Sequence, residues 1–159
     1  MDSPPDLKLE LVALLRAELL LAEKAHRTTT EAATHEEAKP ENDKDTRALE
    51  QSYLARGQAL RVEELRLAVA EVESMRAERS SHEGRVVLGA CVTVVDERER
   101  PSTYWLAPHG GGNRLAGGRV QVVTPLSPVG RALVGKAVGD EVDVATAGTT
   151  RSLTVVSIG

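Results

Sequence analysis

Apolar residues recur at helical spacing through the first half of the chain. Leu, Ala and Glu dominate residues 6 to about 33, and this stretch predicts a long first helix. The apolar spacing over residues 43 to about 79 predicts a second helix. Positions three, four and seven apart fall on one side of a helix and form a seam. The predicted seam residues are Leu7, Leu11, Leu14, Leu21 and Ala25 in the first helix, and Leu54, Leu65, Ala68, Val72 and Met75 in the second.

A polar segment at 35–45 separates the two predicted helices. Pro40 prevents one uninterrupted helix, because proline lacks the amide donor and clashes with the preceding turn. Two long helices joined by a short polar turn pack most simply as an antiparallel coiled-coil hairpin. We therefore predict a hairpin over residues 1–79 with its tip at 35–45.

The second half of the chain has the pattern of a small β-rich domain. Ser80 to Gly84 predict a hinge, and a single helix is predicted over about 127–134. The predicted strands are Val86–Val95, Thr103–Ala107, Arg119–Val123, Glu141–Ala145 and Ser152–Ile158. The expected fold class is α+β, with the hairpin followed at 85–159 by an antiparallel sheet carrying one short helix.

Composition narrows the function classes. The chain has 159 residues and a net charge of −4, and residues 1–80 hold 17 acidic against 12 basic residues. Strong autonomous nucleic-acid binding is not expected of an acidic chain with only two Tyr, one Trp and no Phe. The single Cys91 predicts a buried thiol in a reducing cytoplasm. Neither a signal peptide nor a membrane span is predicted.

The predicted tip is the first candidate for chemistry. Five carboxylates fall within 35–45, among them Glu37, Glu41 and Asp43, next to the amide of Asn42. Carboxylate and amide oxygens suit Mg²⁺, which takes only one or two protein carboxylates and keeps several waters. Such a tip could complete a metal site in another protein. The alternative is a solvated turn whose acidic residues favour the start of the second helix.

The second candidate is the stretch from Ser127 to Val144, SPVGRALVGKAVGDEVDV. Ser127 can cap a helix whose first residue is Pro128, and Gly135 can end it. This stretch closely resembles the signature of Gre-type bacterial transcription elongation factors, in their FKBP-like carboxy-terminal domain. The resemblance extends over most of the second half and is only general along the hairpin.

The resemblance implies a factor that binds bacterial RNA polymerase and is not itself an enzyme. In the family, a tip motif of the kind Gly-Asp-Leu-x-Glu-Asn enters the secondary channel and helps the polymerase's Mg²⁺ to cleave the 3′ end of backtracked RNA. Glu41 and Asn42 match that motif, whereas Ala38 stands where the family has its first acidic residue. Glu37 or Asp43 could supply the missing oxygen. Without one, the resemblance implies a channel-occupying regulator that does not stimulate cleavage.

The resemblance also implies roles at the second candidate. In the family the Ser-Pro corner helps to dock the domain on the rim of the channel, which points to Ser127, Pro128 and Arg131 as partner-binding residues. The alternative is that Ser127 and Pro128 only cap the helix. No resident metal or cofactor is expected, and the factor is expected to act as a monomer. The FKBP-like shape suggests prolyl isomerisation as a third function, by analogy alone.

Overall fold

The computed structural model describes residues 3–37, 44–76, 81–82 and 84–159. The helices in these ranges are α1 (Pro4–Glu37), α2 (Lys44–Ser74) and α3 (Pro128–Leu133). The strands are β1 (Ser81–His82), β2 (Arg85–Val86), β3 (Cys91–Val95), β4 (Pro101–Leu106), β5 (Arg114–Leu115), β6 (Val120–Val123), β7 (Glu141–Thr146) and β8 (Thr149–Ile158). The predicted α+β class is confirmed.

Helices α1 and α2 form the predicted hairpin. Lys8, near the start of α1, donates from Nζ to the Met75 carbonyl oxygen just past the end of α2, at 2.9 Å. Further along, Arg61 of α2 forms an ion pair with Glu18 of α1. Helix α1 begins earlier than residue 6, because Pro4 and Pro5 occupy a first turn that needs no amide donor. Helix α2 ends at Ser74, before the predicted residue 79.

The contacts divide the chain into two compact units, and the division differs from the predicted boundary at 79. One unit combines the start of the chain through Val12 with Glu71–Gly159, and the other is Ala13–Ala70. The first unit includes the helix bases because the Glu10 carboxylate accepts the Ala116 N–H at 3.0 Å and Leu11 lies against Gly110. The predicted hinge at 80–84 contains β1, which pairs antiparallel with β2. Ser80 and Glu83 lie outside the described residues.

Part of the predicted helical seam is wrong. Leu7, Leu11, Leu65, Ala68 and Val72 are buried as predicted, and Met75 is half-buried. By contrast Leu14, Leu21 and Leu54 are 41%, 70% and 55% exposed, and Ala25 is exposed too. These exposures show that a repeat of seven does not follow the buried face of α1. Steps of four lead instead from Leu11 to the buried Leu15 and the half-buried Leu19.

The main sheet has six strands in the order β5-β6-β4-β3-β8-β7. The predicted antiparallel pairing is confirmed for every strand pair of this sheet except one, because β4 and β6 run parallel. Strand β5, which the sequence analysis missed, explains the difference. It pairs antiparallel with β6, so the chain reverses direction twice between β4 and β6. The predicted strand Val86–Val95 is split into β2 and β3 by a turn at Leu88 and Gly89.

Helix α3 covers one face of this sheet beside β7. Val129 and Leu133 of α3 lie in an aliphatic core with Val142 and Val144 of β7 and with Leu153 of β8. Trp105 is fully buried and donates from Nε1 to the Gly89 carbonyl oxygen at 3.1 Å. Cys91 is half-buried, which corrects the prediction of a buried thiol, because its strand position leaves one side partly uncovered. The sheet and α3 therefore share a core that is made almost wholly of aliphatic side chains.

The turn between β3 and β4 makes stability depend on pH through Asp96. The Asp96 carboxylate accepts the backbone N–H groups of Arg100 and Arg98 and pairs with the Arg100 guanidinium, and these bonds lower the pKa of Asp96. The unfolded chain therefore binds more protons between the ordinary Asp pKa, about 3.9, and the lowered value, so folding loses stability as pH falls through that window. We expect Asp96→Asn to flatten this loss in urea unfolding measured across the acidic range.

Glu97→Gln is the matched control for that experiment, because it removes an exposed carboxylate from the same turn. It should keep the wild-type slope of unfolding free energy against pH. If Asp96→Asn showed the wild-type slope as well, the turn would make no contribution of this kind.

Candidate partner-binding site

The middle of the predicted tip, residues 38–43, lies outside the residues that the structure describes. Glu37 is the last residue of α1, whereas Glu41, Asn42 and Asp43 lie outside the described residues. Ala38, the departure from the family motif, lies outside them as well. The metal-assisting role of this segment therefore stays a prediction.

The Ser127 corner is a true helix cap. Ser127 has extended backbone angles (φ −69°, ψ 154°), and its Oγ accepts the Gly130 N–H at 3.1 Å. The same hydroxyl donates to the Thr124 carbonyl oxygen at 2.7 Å, so it ties the helix start to the end of β6. Pro128 is the first helical residue, where its missing N–H has no cost. The predicted capping role is confirmed.

Gly130 is a residue of this corner that the sequence analysis did not single out. A Cβ on Gly130 would lie 1.9 Å from the Thr124 carbonyl oxygen and 2.7 Å from its carbon. Both are backbone atoms, so no side-chain rotation relieves the clash. The sequence shows only a glycine three residues after a capping serine. That pattern does not reveal that a backbone carbonyl approaches Gly130 so closely.

A groove of about 340 Å³ opens on the outer side of the corner. Leu126, Pro128 and Arg131 line one side, and Asp143 with Ala145 of β7 lines the other. Leu126 is 81% exposed. The Arg131 guanidinium donates to the Leu126 carbonyl oxygen at a long 3.4 Å. The groove thus offers an exposed apolar side chain, a proline ring, one cation and one anion. Such a mixture suits a segment of a protein partner, with an apolar contact for affinity and charges for orientation.

The hairpin unit carries ion pairs on its surface. Arg66 bonds Glu23 of α1 at 3.1 Å and Glu63 of its own helix at 2.7 Å. The Glu23 carboxylate accepts a hydrogen bond from the Arg66 guanidinium and thereby raises the pKa of Arg66. These pairs are exposed, and pairs of this kind contribute little stability. The charges of this part of the hairpin thus pair with one another on an exposed helix surface.

Three other kinds of site find no support in the described part of the chain. Residues 3–37, 44–76, 81–82 and 84–159 contain no group of three His, Cys, Asp or Glu residues able to hold a metal ion. None of the described helices is long and apolar enough to span a membrane. Tyr104 and Trp105, the only aromatic residues at 84–159, are 5% and 0% exposed, so they build no open aromatic pocket of the kind that prolyl isomerisation needs.

Comparison with known proteins identifies the family of the carboxy-terminal part of the chain. Residues 81–159 match the family model described as "Transcription elongation factor, GreA/GreB, C-term". The chain is 38% identical over 112 residues to a protein of Magnetococcus marinus named "Transcription elongation factor GreA", covering 70% of this chain and 66% of the relative. A protein of the same name from Methylobacterium nodulans is 37% identical over 112 residues, with the same coverage. Residues 81–159 belong to the Gre-type family.

The extent of these matches is limited. The chain covers from 51% to 66% of the length of the curated relatives that it matches first. Among solved structures it is similar to GreA factor homolog 1 (Gfh1) of Thermus thermophilus, with 17% identity over 93% of this chain and 94% of that one, at a TM-score of 0.41. The family assignment rests on the sequence matches.

Proposed function

We propose that this chain is a transcription elongation factor that binds bacterial RNA polymerase in the cytoplasm and stimulates cleavage of backtracked RNA. The observation that carries the proposal is the match of residues 81–159 to the GreA/GreB family model. The capped corner at Ser127 lies within that match, and the helical hairpin precedes it. In this proposal the factor performs no reaction of its own and acts on the active site of the polymerase.

The mechanism divides the work between the two candidate sites. The groove at Pro128 and Arg131 docks on the polymerase, and the tip enters the secondary channel. There, Glu41 with Glu37 or Asp43 offers oxygen ligands, and Asn42 offers an amide oxygen. Oxygen donors of this kind suit the hard Mg²⁺ ion that the polymerase supplies, and such an ion activates water for attack on a phosphodiester. The nascent RNA is contacted only through that shared site.

A second candidate function rests on Ala38. An alanine offers no oxygen to a metal, so a tip that lacks the first acidic residue of the family motif could occupy the channel without assisting cleavage. The factor would then modulate or inhibit transcription. Both functions use the same docking surface, and they differ only in what the tip does.

An RNA assay in stalled elongation complexes separates these functions. The proposal predicts that the added protein shortens the backtracked transcript from its 3′ end. Altered initiation without shortening would assign the second function. Absence of both effects, together with absence of polymerase binding, would refute the family-derived function altogether.

The docking role of the groove predicts a loss of affinity without a loss of stability. Pro128→Ala and Arg131→Ala leave the Ser127 cap in place but remove groove contacts. We expect each to weaken polymerase binding by about tenfold, the cost of one moderate interface contact. Binding of labelled protein to polymerase measures this, with Lys136→Ala as an exposed control. Wild-type affinity in a folded Pro128→Ala variant would reduce the corner to a helix cap.

A further inference from the structure

A second groove, of about 530 Å³, is lined by residues of β4, β5, β6 and β8 and has a different chemistry. Arg114, Arg119 and Arg151 line it, together with Thr103, Tyr104 and Gln121. None of its lining residues, all within the described range 84–159, is acidic, and its surface is almost entirely polar. We call it the arginine groove. No part of the proposed polymerase mechanism uses it.

The sheet register explains why these side chains meet. Gln121 of β6 pairs with Arg114 of β5 on one side and with Tyr104 of β4 on the other. Residues directly opposite each other on neighbouring strands share a face, so the three side chains form a row across three strands. Arg151 of β8 completes the row, because its Nη2 lies 3.4 Å from the Tyr104 hydroxyl oxygen. The row therefore depends on the strand order of the mixed sheet, in which the short β5 lies beside β6.

The arginines of the row keep most of their donors available. A guanidinium has five N–H donors. Among the described residues, Arg114 bonds only to the Gly118 carbonyl oxygen, at a long 3.5 Å, and Arg151 bonds only to the Tyr104 hydroxyl. Within the described ranges neither of them forms an ion pair with a carboxylate. The acidic residues beside Arg151 are Asp96 and Glu97, and Asp96 is already held by Arg100.

We propose that the arginine groove binds phosphate groups. Guanidinium forks match the oxygens of phosphate in pairs, and hydroxyl and amide groups complete its hydrogen bonding. One carboxylate would neutralise only one cation, whereas a phosphate chain carries several negative charges. The groove has almost no apolar surface for a nucleobase or for the anchor residues of a protein segment. The ligand is therefore a phosphate chain, either free in solution or as the backbone of RNA.

The inference is independent of the function proposed above, and titration of the full chain with pyrophosphate tests it. We expect saturable binding, with amide NMR shifts concentrated at Arg114, Gln121 and Arg151. Arg114→Gln with Arg151→Gln should weaken this binding by about tenfold or more, because two charge-assisted contacts are lost. Arg114→Lys with Arg151→Lys keeps the charge but loses the forked guanidinium donors. Its affinity for pyrophosphate should lie between that of the wild type and that of the glutamine variant. It also serves if the glutamine variant does not fold.

The matched control is Arg47→Gln with Arg56→Gln, which removes the same charge from exposed positions of α2. A short uridine oligoribonucleotide distinguishes the two phosphate sources. If it displaces pyrophosphate and its affinity falls steeply with salt, the source is the RNA backbone. If pyrophosphate binds and the oligonucleotide does not compete, the source is a free phosphate. The proposal would be overturned if pyrophosphate showed no saturable binding, or if a polyglutamate peptide bound more tightly than pyrophosphate. It would also be overturned if the control variant lost as much affinity for pyrophosphate as the groove variant.

Discussion

Gly130→Ala is expected to destabilise the protein by about 3 kcal/mol, within the range of severe overpacking in a constrained site. The added Cβ would lie 1.9 Å from the Thr124 carbonyl oxygen, so one of the two backbones must move. That oxygen also accepts the Ser127 N–H at 3.0 Å and the Ser127 hydroxyl at 2.7 Å. Any shift that relieves the clash therefore breaks the corner. Urea unfolding of the purified variant measures the change in the free energy of unfolding.

Gly57→Ala provides the control, because Gly57 lies inside α2 and a Cβ added there would have open space, with no atom within 4 Å. Alanine there should stabilise the chain by about 0.5–1 kcal/mol through helix propensity alone. The two substitutions are chemically identical and opposite in expected sign. A Gly130→Ala variant as stable as the wild type would show that the corner tolerates a shift of Thr124, and the groove would then not be rigidly held.

Replacing both Glu37 and Glu41 with alanine is expected to lower the rate of stimulated RNA cleavage on the order of a hundredfold. The reason is that a metal-assisting tip needs at least one oxygen ligand within bonding distance, and Ala38 supplies none. The double variant should still bind polymerase with wild-type affinity, since the groove at Pro128 is untouched. Cleavage of labelled transcripts in stalled complexes, measured at saturating factor, separates the rate from the affinity.

Glu31→Ala with Glu50→Ala removes the same charge from exposed positions of the two hairpin helices and should cleave at the wild-type rate. Ala38→Asp tests the argument in the opposite direction, because it restores the acidic residue of the family motif and should raise the rate. An unchanged rate in the Glu37 and Glu41 double variant would exclude both carboxylates as the source of stimulation. Asp43 would then be the next residue to replace.

The sequence predicted the elements whose signals are local. Ser127, Pro128 and the glycine at 135 specify a short capped helix within a few residues, and the structure places α3 there. The long helices were also predictable, because apolar spacing and the break at Pro40 are visible over many residues. The buried face of the first helix was harder to predict. A repeat of seven and a repeat of four both begin at Leu7, and they differ only from Leu14 and Leu15 onward, of which Leu15 is the buried one.

What the sequence could not reveal depends on long-range pairing. Strand β5 has only two residues and shows no alternating pattern, yet it makes β6 parallel to β4 and brings Arg114 beside Gln121. The arginine groove follows from that register and from Arg151, which lies 47 residues beyond Tyr104 in the chain. Gly130 is similar, because its requirement comes from a carbonyl oxygen at the end of the preceding strand. The tip motif remains a prediction from sequence.

The measurement that tests the central claim most directly is photocrosslinking from the tip. A photoreactive amino acid at position 42 of the whole chain is added to stalled elongation complexes of bacterial RNA polymerase with a labelled transcript. If the hairpin enters the secondary channel, the probe should crosslink to the polymerase next to its catalytic Mg²⁺ and to the RNA 3′ end, and Pro128→Ala should reduce both products. Crosslinks confined to the outer surface of the polymerase, or none at all, would contradict the account.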